Sequence, residues 1–210
     1  MAEPTLFTVI RHGETAANRK AVIQGQTDVP LSPAGEEQAR ALGRRWRGRR
    51  FDAVYASDLS RAMRTAELAL PGQPAIPTPE LREMDLGSWC GLEFAEIQTR
   101  FPEDYAAFRS GDPERRIGGG ESRRMLVRRA ENFFLGAARR HPGAEVLAVT
   151  HAGVVRALFT LVAGWGAAGP AVGNTGICVV SCDPDGPRWR LITWNDTAHL
   201  ETPVLDGDAY

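Results

Sequence analysis

Two histidines follow apolar segments at equivalent places. Leu6 to Ile10 (LFTVI) runs into Arg11-His12-Gly13, and Val146 to Thr150 (VLAVT) runs into His151-Ala152-Gly153. If the two segments are parallel strands of one sheet, both imidazoles emerge at the same rim, where ligands of such sheets bind. A lone histidine is ordinarily a satisfied or exposed side chain. A matched pair at strand ends is a stronger signal, because imidazole can serve as nucleophile, acid or base near neutral pH. Arginines accompany the pair: Arg11 abuts His12, and Arg61 falls in the first turn of the helix after another strand. Guanidinium forks near a helix N-terminus suit a phosphate group. By itself, Arg61 with Arg64 reads as a solvated helix face near Glu67. Glu83 sits in a loop within the acidic run Glu80, Glu83, Asp85. A protonated carboxyl there can act as a general acid, although such runs are more often surface.

The elements that must position these groups alternate. A polar loop with Asn18, Gln24 and Gly25 follows the first strand. Ser32-Pro33 then opens a helix, with serine suited to the N-cap, proline to the first helical position, and Glu36 and Glu37 to its positive end. Ala39, Leu42 and Trp46 give it an apolar face. Phe51 to Ser57 reads as a second strand, followed by a helix from about Leu59 with Leu59, Met63, Ala66 and Leu70 on one side. A proline-broken stretch leaves room for one short strand around Ile76. Leu81 to Gly91 reads as loop, and Leu92 to Gly120 shows weak helical periodicity. A long helix spans about 121 to 140, facing Leu126, Ala130, Phe133, Phe134 and Ala137 inward. Val154 to Val162 forms another helix. Ile177 to Ser181 and Trp189 to Trp194 form a hairpin about the turn Asp183-Pro184-Asp185-Gly186. The pattern predicts an α/β class: a single three-layer α/β/α domain over residues 1–210, with a mostly parallel central sheet and an antiparallel C-terminal finish.

Composition fits this. The chain has 210 residues, 43% hydrophobic and 24% charged, with a formal net charge of −1. Near-neutrality argues against a nucleic-acid binder working through bulk charge, and no apolar run is long enough to span a membrane. Cys90, Cys178 and Cys182 are too few and scattered for a disulfide framework or a metal site. With no secretory pattern in Met1 to Phe7, the expected compartment is the cytoplasm.

The chain resembles the histidine phosphatase superfamily, also called the phosphoglycerate mutase-like family. Thr8 to Asn18 (TVIRHGETAAN) is similar to its signature. Leu31 to Gln38, Ser57 to Ala66, Leu81 to Gly91, Gly118 to Ser122 and Val149 to Arg156 resemble further blocks in the family's order. The resemblance implies phosphoryl transfer to His12 as nucleophile. Arg11, Arg61 and His151 would surround the phosphate, Asn18 would donate to it, Gln24 and Gly25 would frame it, and Glu83 would be the proton donor. It implies a phosphoric monoester hydrolase acting on a small phosphorylated metabolite, with no cofactor and no metal. The arginines should keep the His12 imidazole neutral.

Two other activities are weighed against this phosphatase reading: a cofactor-dependent phosphoglycerate mutase, and a non-catalytic binder of phosphorylated ligands. The short gap between Glu83 and His151, the Gln24-Gly25 loop and Trp194 to Leu200 (WNDTAHL) resemble the phosphatase branch. Residues 89–121 are expected to cap the pocket. Phe94, Phe101, Tyr105 and Phe108 serve there mainly as packing. Arg109, Arg115 and Arg116 are candidates to meet a second acidic group, or simply surface. His141 is expected to close a helix, and His199 to be structural. Thr202 to Tyr210 reads as a loosely held polar end. A homodimer is compatible with the sequence.

Overall fold

The computed structural model describes residues 3–165, 169–186 and 188–200, so the expectation for Thr202 to Tyr210 lies outside the described residues. In chain order the elements are β1 (Thr5–Arg11), α1 (Ala16–Arg19), α2 (Pro33–Arg45), β2 (Ala53–Ala56), α3 (Ser60–Ala69) and β3 (Ile76–Pro77). They continue with α4 (Phe94–Arg100), α5 (Pro102–Ser110), α6 (Arg123–Arg140), β4 (Glu145–Thr150), α7 (Ala152–Ala163), β5 (Ile177–Cys182) and β6 (Trp189–Asp196). The strands form one six-stranded sheet in the order β3-β2-β4-β1-β5-β6. β3, β2, β4 and β1 run parallel, whereas β5 and β6 pair antiparallel.

Side-chain alternation splits the sheet's two faces. Phe7, Val9, Val146 and Ala148 pack with Leu126, Ala130, Phe133 and Phe134 of α6 and Val154, Val155 and Leu158 of α7. Ile10, Leu147 and Val149 pack with Leu42 and Trp46 of the α2 end and Ala62, Ala66 and Ala69 of α3. That is the three-layer arrangement the periodicity predicts. The five inward positions expected on the long helix are all buried. Helix α2 starts as its sequence signals: the Ser32 hydroxyl accepts from Gly35 N, Pro33 follows, and Arg44 and Arg45 lie in the last turn. His141 is the C-cap of α6, and its Nε2 lies 2.9 Å from the Tyr55 hydroxyl.

Leu81 to Gly91 is more ordered than a plain loop. It sits between and within two short 3-10 turns, Pro79–Leu81 and Gly87–Trp89. The weakly periodic stretch resolves into α4 and α5, where Phe101 is at once the C-cap of one helix and the N-cap of the next. No helix among the described residues is long and apolar enough to cross a membrane.

Candidate active site

Strand register brings the histidines together. Arg11 is paired with Thr150 across the parallel β1–β4 ladder, so the next residue on each strand, His12 and His151, stands at the same level. The His12 amide donates to the Thr150 carbonyl at 2.8 Å, and the two ring centroids are 5.0 Å apart. β2 ends beside β4 at the same rim, with Ala56 opposite Val149, and the chain then turns into α3, whose second residue is Arg61.

Main-chain carbonyls hold the two arginines and His12. Arg11 Nη1 donates to Val172 O at 2.8 Å. Arg61 donates through Nη1 to Thr27 O and through Nη2 to Gly25 O, at 2.7 and 2.8 Å. Its Nε points at His151 Nδ1, 3.2 Å away. Both arginines are nearly fully buried, so their guanidinium groups are fixed in place at the rim.

The same bonds set the tautomers. His12 Nδ1 lies 2.7 Å from Gly13 O, a group that can only accept, so Nδ1 carries the proton and Nε2 keeps its lone pair in the neutral ring. His151 is the reverse: its Nδ1 faces an Arg61 N–H that can only donate, so the proton sits on Nε2. That Nε2 is buried with no hydrogen-bond partner among the described residues. Both rings are held neutral well below the ordinary histidine range. Burial is the largest cause for each, followed by the charge of Arg61; Arg11 adds to it for both.

The loop after His12 is clamped from two sides. Ser32 N donates to Glu14 O, and Glu14 N to the Gln38 side chain, which ties it to the start of α2. A Cβ on Gly35 would stand 2.0 Å from Glu14 O, so only glycine allows this approach. From the other side, Asn174 Nδ2 donates to His12 O at 2.9 Å and the Thr175 amide to Arg11 O at 3.0 Å. Thr175 has φ +57°, a strained setting for a β-branched residue. Its hydroxyl lies 2.9 Å from His199 Nε2, which places His199 one residue behind the rim. Neither Asn174 nor Thr175 stands out in the sequence; their role arises only from contacts more than 160 positions apart.

Glu83 stands at the edge of the cluster. Its carboxylate accepts from Met84 N at 2.7 Å and from Gly153 N at 3.1 and 3.2 Å, two residues beyond His151. A Cβ on Gly153 would lie 2.1 Å from Glu83 Oε1, so the glycine leaves the carboxylate room to sit against this amide. Arg129 ties down the strand of chain that carries Glu83: it donates to the carbonyls of Glu80, Arg82 and Glu83 and pairs with Glu121 at 2.8 Å. Asn18 and Gln24 lie one step out, both bonded to Thr15, and Gly25 enters through its carbonyl bond to Arg61.

A cavity of about 500 Å³ opens beside this cluster and meets it only through Glu83 and Gly153. Phe108 lines it, while Phe94, Phe101 and Tyr105 pack against the main core. Arg109, Arg115 and Arg116 do not line it. Arg115 pairs with Asp104 on the surface and Arg116 donates to Gly120 O, so the basic groups facing the cavity are instead Arg123 and Arg156.

The model of the histidine phosphatase superfamily (branch 1) matches residues 7–197. The chain belongs to that superfamily. It is 36% identical over 200 residues to phosphoglycerate mutase-like protein 4 of Arabidopsis thaliana, covering 93% of this chain and 86% of the relative. It is 35% identical over 218 residues to metal-independent phosphoserine phosphatase of the same plant, covering 99% and 90%. Among solved structures it is similar to a histidine-to-alanine variant of phosphoserine phosphatase from Entamoeba histolytica in complex with phosphoserine. The TM-score is 0.83 at 27% identity, over 93% of this chain and 99% of that one. This histidine phosphatase is a hydrolase of phosphoric monoesters.

Proposed function

We propose that the protein hydrolyses a small phosphorylated metabolite through a phosphohistidine on His12, with Glu83 as proton donor. The observation that carries this is the pairing of tautomers in the buried cluster: a lone pair on His12 Nε2 beside an unpartnered N–H on His151 Nε2. The lone pair attacks phosphorus, and the bond to the ester oxygen breaks as Glu83 protonates that oxygen. Arg11, Arg61 and the His151 N–H meet the equatorial oxygens, where charge accumulates in the transition state. Asn18 adds an amide donor, its Oδ1 already fixed on Thr15. Water then attacks the phosphohistidine, Glu83 takes its proton, and the N–P bond breaks to release phosphate and restore His12. The guanidinium groups take the charge-balancing part that a metal ion plays elsewhere, so turnover is expected to survive chelators.

His12→Ala should lower phosphate release from p-nitrophenyl phosphate by about 10⁴-fold or more with the protein still folded. Near-wild-type release by that variant contradicts the proposal. The relative named phosphoglycerate mutase-like supplies the second reading. Conversion of 3- to 2-phosphoglycerate in the presence of 2,3-bisphosphoglycerate, faster than phosphate release, would favour it.

A further inference from the structure

The cavity beside Glu83 is shaped for more than a short polar alcohol. At about 500 Å³ it falls in the range of pockets that enclose whole small molecules. Leu86, Phe108, Ile117, Leu126 and Trp165 give it mainly apolar walls, contributed by the turn before residue 89, by α5 and the stretch after it, by α6, and by the end of the chain segment that carries α7. Into these walls the chain sets Arg123, the first residue of α6. That position is costly for a cation three times over. It lies at the positive end of an 18-residue helix. It is half-buried, and burial lowers its affinity for its proton. Among the described residues it has no ion pair: its recorded contacts are the Phe108 carbonyl at 3.3 Å and the Phe108 ring at 5.0 Å. Neighbouring Arg124, by contrast, pairs with Glu114 on the surface. A desolvated guanidinium without a carboxylate is compensated when a ligand brings the anion.

We infer that the leaving group is an alcohol or phenol with an apolar body of about aromatic-ring size or larger and an anionic group of its own, the body filling this cavity and the anion meeting Arg123. The inference rests on the phosphatase reading and deepens it, because Glu83 lies on the cavity wall and would protonate the ester oxygen of a group seated there.

The test compares kcat/KM for phenyl phosphate, 3-(4-phosphonooxyphenyl)propanoate and O-phosphoserine, in wild type, Arg123→Met and Arg123→Lys. Wild type should prefer the carboxylated aryl ester over phenyl phosphate by roughly tenfold or more, the range of one charge-assisted hydrogen bond. Both aryl esters should exceed O-phosphoserine. Arg123→Met should bring the first ratio close to unity, and Arg123→Lys should restore part of it, which a mere folding defect would not do. A wild-type preference for O-phosphoserine overturns the inference, as does an equal loss on both aryl esters in Arg123→Met. If wild type turns over all three without discrimination, the inference fails and the phosphatase reading stands. If wild type releases phosphate from none of them and forms no phosphohistidine, the phosphatase reading falls and takes the inference with it.

Discussion

At the strand ends, Arg11 and Arg61 donate to the carbonyls of Val172, Thr27 and Gly25, and the segment after Val172 is in turn bonded to β1 through the Thr175 amide and Arg11 O. Across Glu83, Arg123 meets one carbonyl and one ring on α5, a helix that packs on the core through Phe108. The first region is tightly determined, because each charged group is fixed by backbone carbonyls beside the strand ends. The second is built from side chains on elements that can vary without disturbing the ladder. On the proposed reading, the phosphoryl chemistry belongs to the rim of β1 and β4, and the choice of leaving group to the wall formed by α5, α6 and α7.

Variants on the two sides should therefore fail in different ways. Arg61→Met removes the donor that fixes the His151 tautomer and, in the proposed mechanism, a charge on the transition state. Its kcat should fall by roughly 10²- to 10⁴-fold, by the same factor on every substrate. A loss that depends on the leaving group would break the division between the two regions.

Gly153→Ala acts at the seam. Its Cβ would fall 2.1 Å from Glu83 Oε1 and push the carboxylate off Gly153 N. We expect kcat to drop by about 10- to 100-fold for phenyl phosphate and less for p-nitrophenyl phosphate, whose leaving group needs little protonation. Equal losses on both would place Glu83 outside the proton-transfer step.

Much of the rim is legible in the sequence, since a strand-end residue is placed by register alone and two short apolar runs suffice to predict it. His12 and His151 are such residues, and Ser32-Pro33 is a local cap signal of the same kind. Asn174, Thr175 and Arg129 are not legible, because each acts on a backbone group far away in the chain and has no periodic pattern to mark it. Arg115 and Arg116 stay open in the sequence between a ligand role and surface for a related reason. Arginine type and proximity to the capping segment do not say what takes up the donors, which here are Asp104 and the Gly120 carbonyl, while Arg123 faces the cavity.

A smaller effect concerns stability. His12 and His151 are neutral when folded, with proton affinity lowered by burial and by Arg61, and His199 is lowered to about 4 by burial and Arg45. For a base whose folded value lies below its unfolded one, unfolding takes up protons, so stability is complete above about pH 6.5 and is lost as pH falls below it. Each of the two buried histidines should contribute a slope of up to about 1.4 kcal/mol per pH unit, and the more solvated His199 less. Denaturant midpoints measured from pH 7.5 to 4.5 should decline, with a shallower decline in His12→Ala. A midpoint flat over that range would mean that the rings are not buried as neutral bases.

The most direct test is to trap the enzyme during turnover of a ³²P-labelled monoester and quench one half in base and the other in acid. Label that survives base, is lost in acid, and maps to the peptide carrying His12 is the predicted result. Turnover that leaves no base-stable label at His12, or label that withstands acid, would contradict a phosphohistidine at the β1 end.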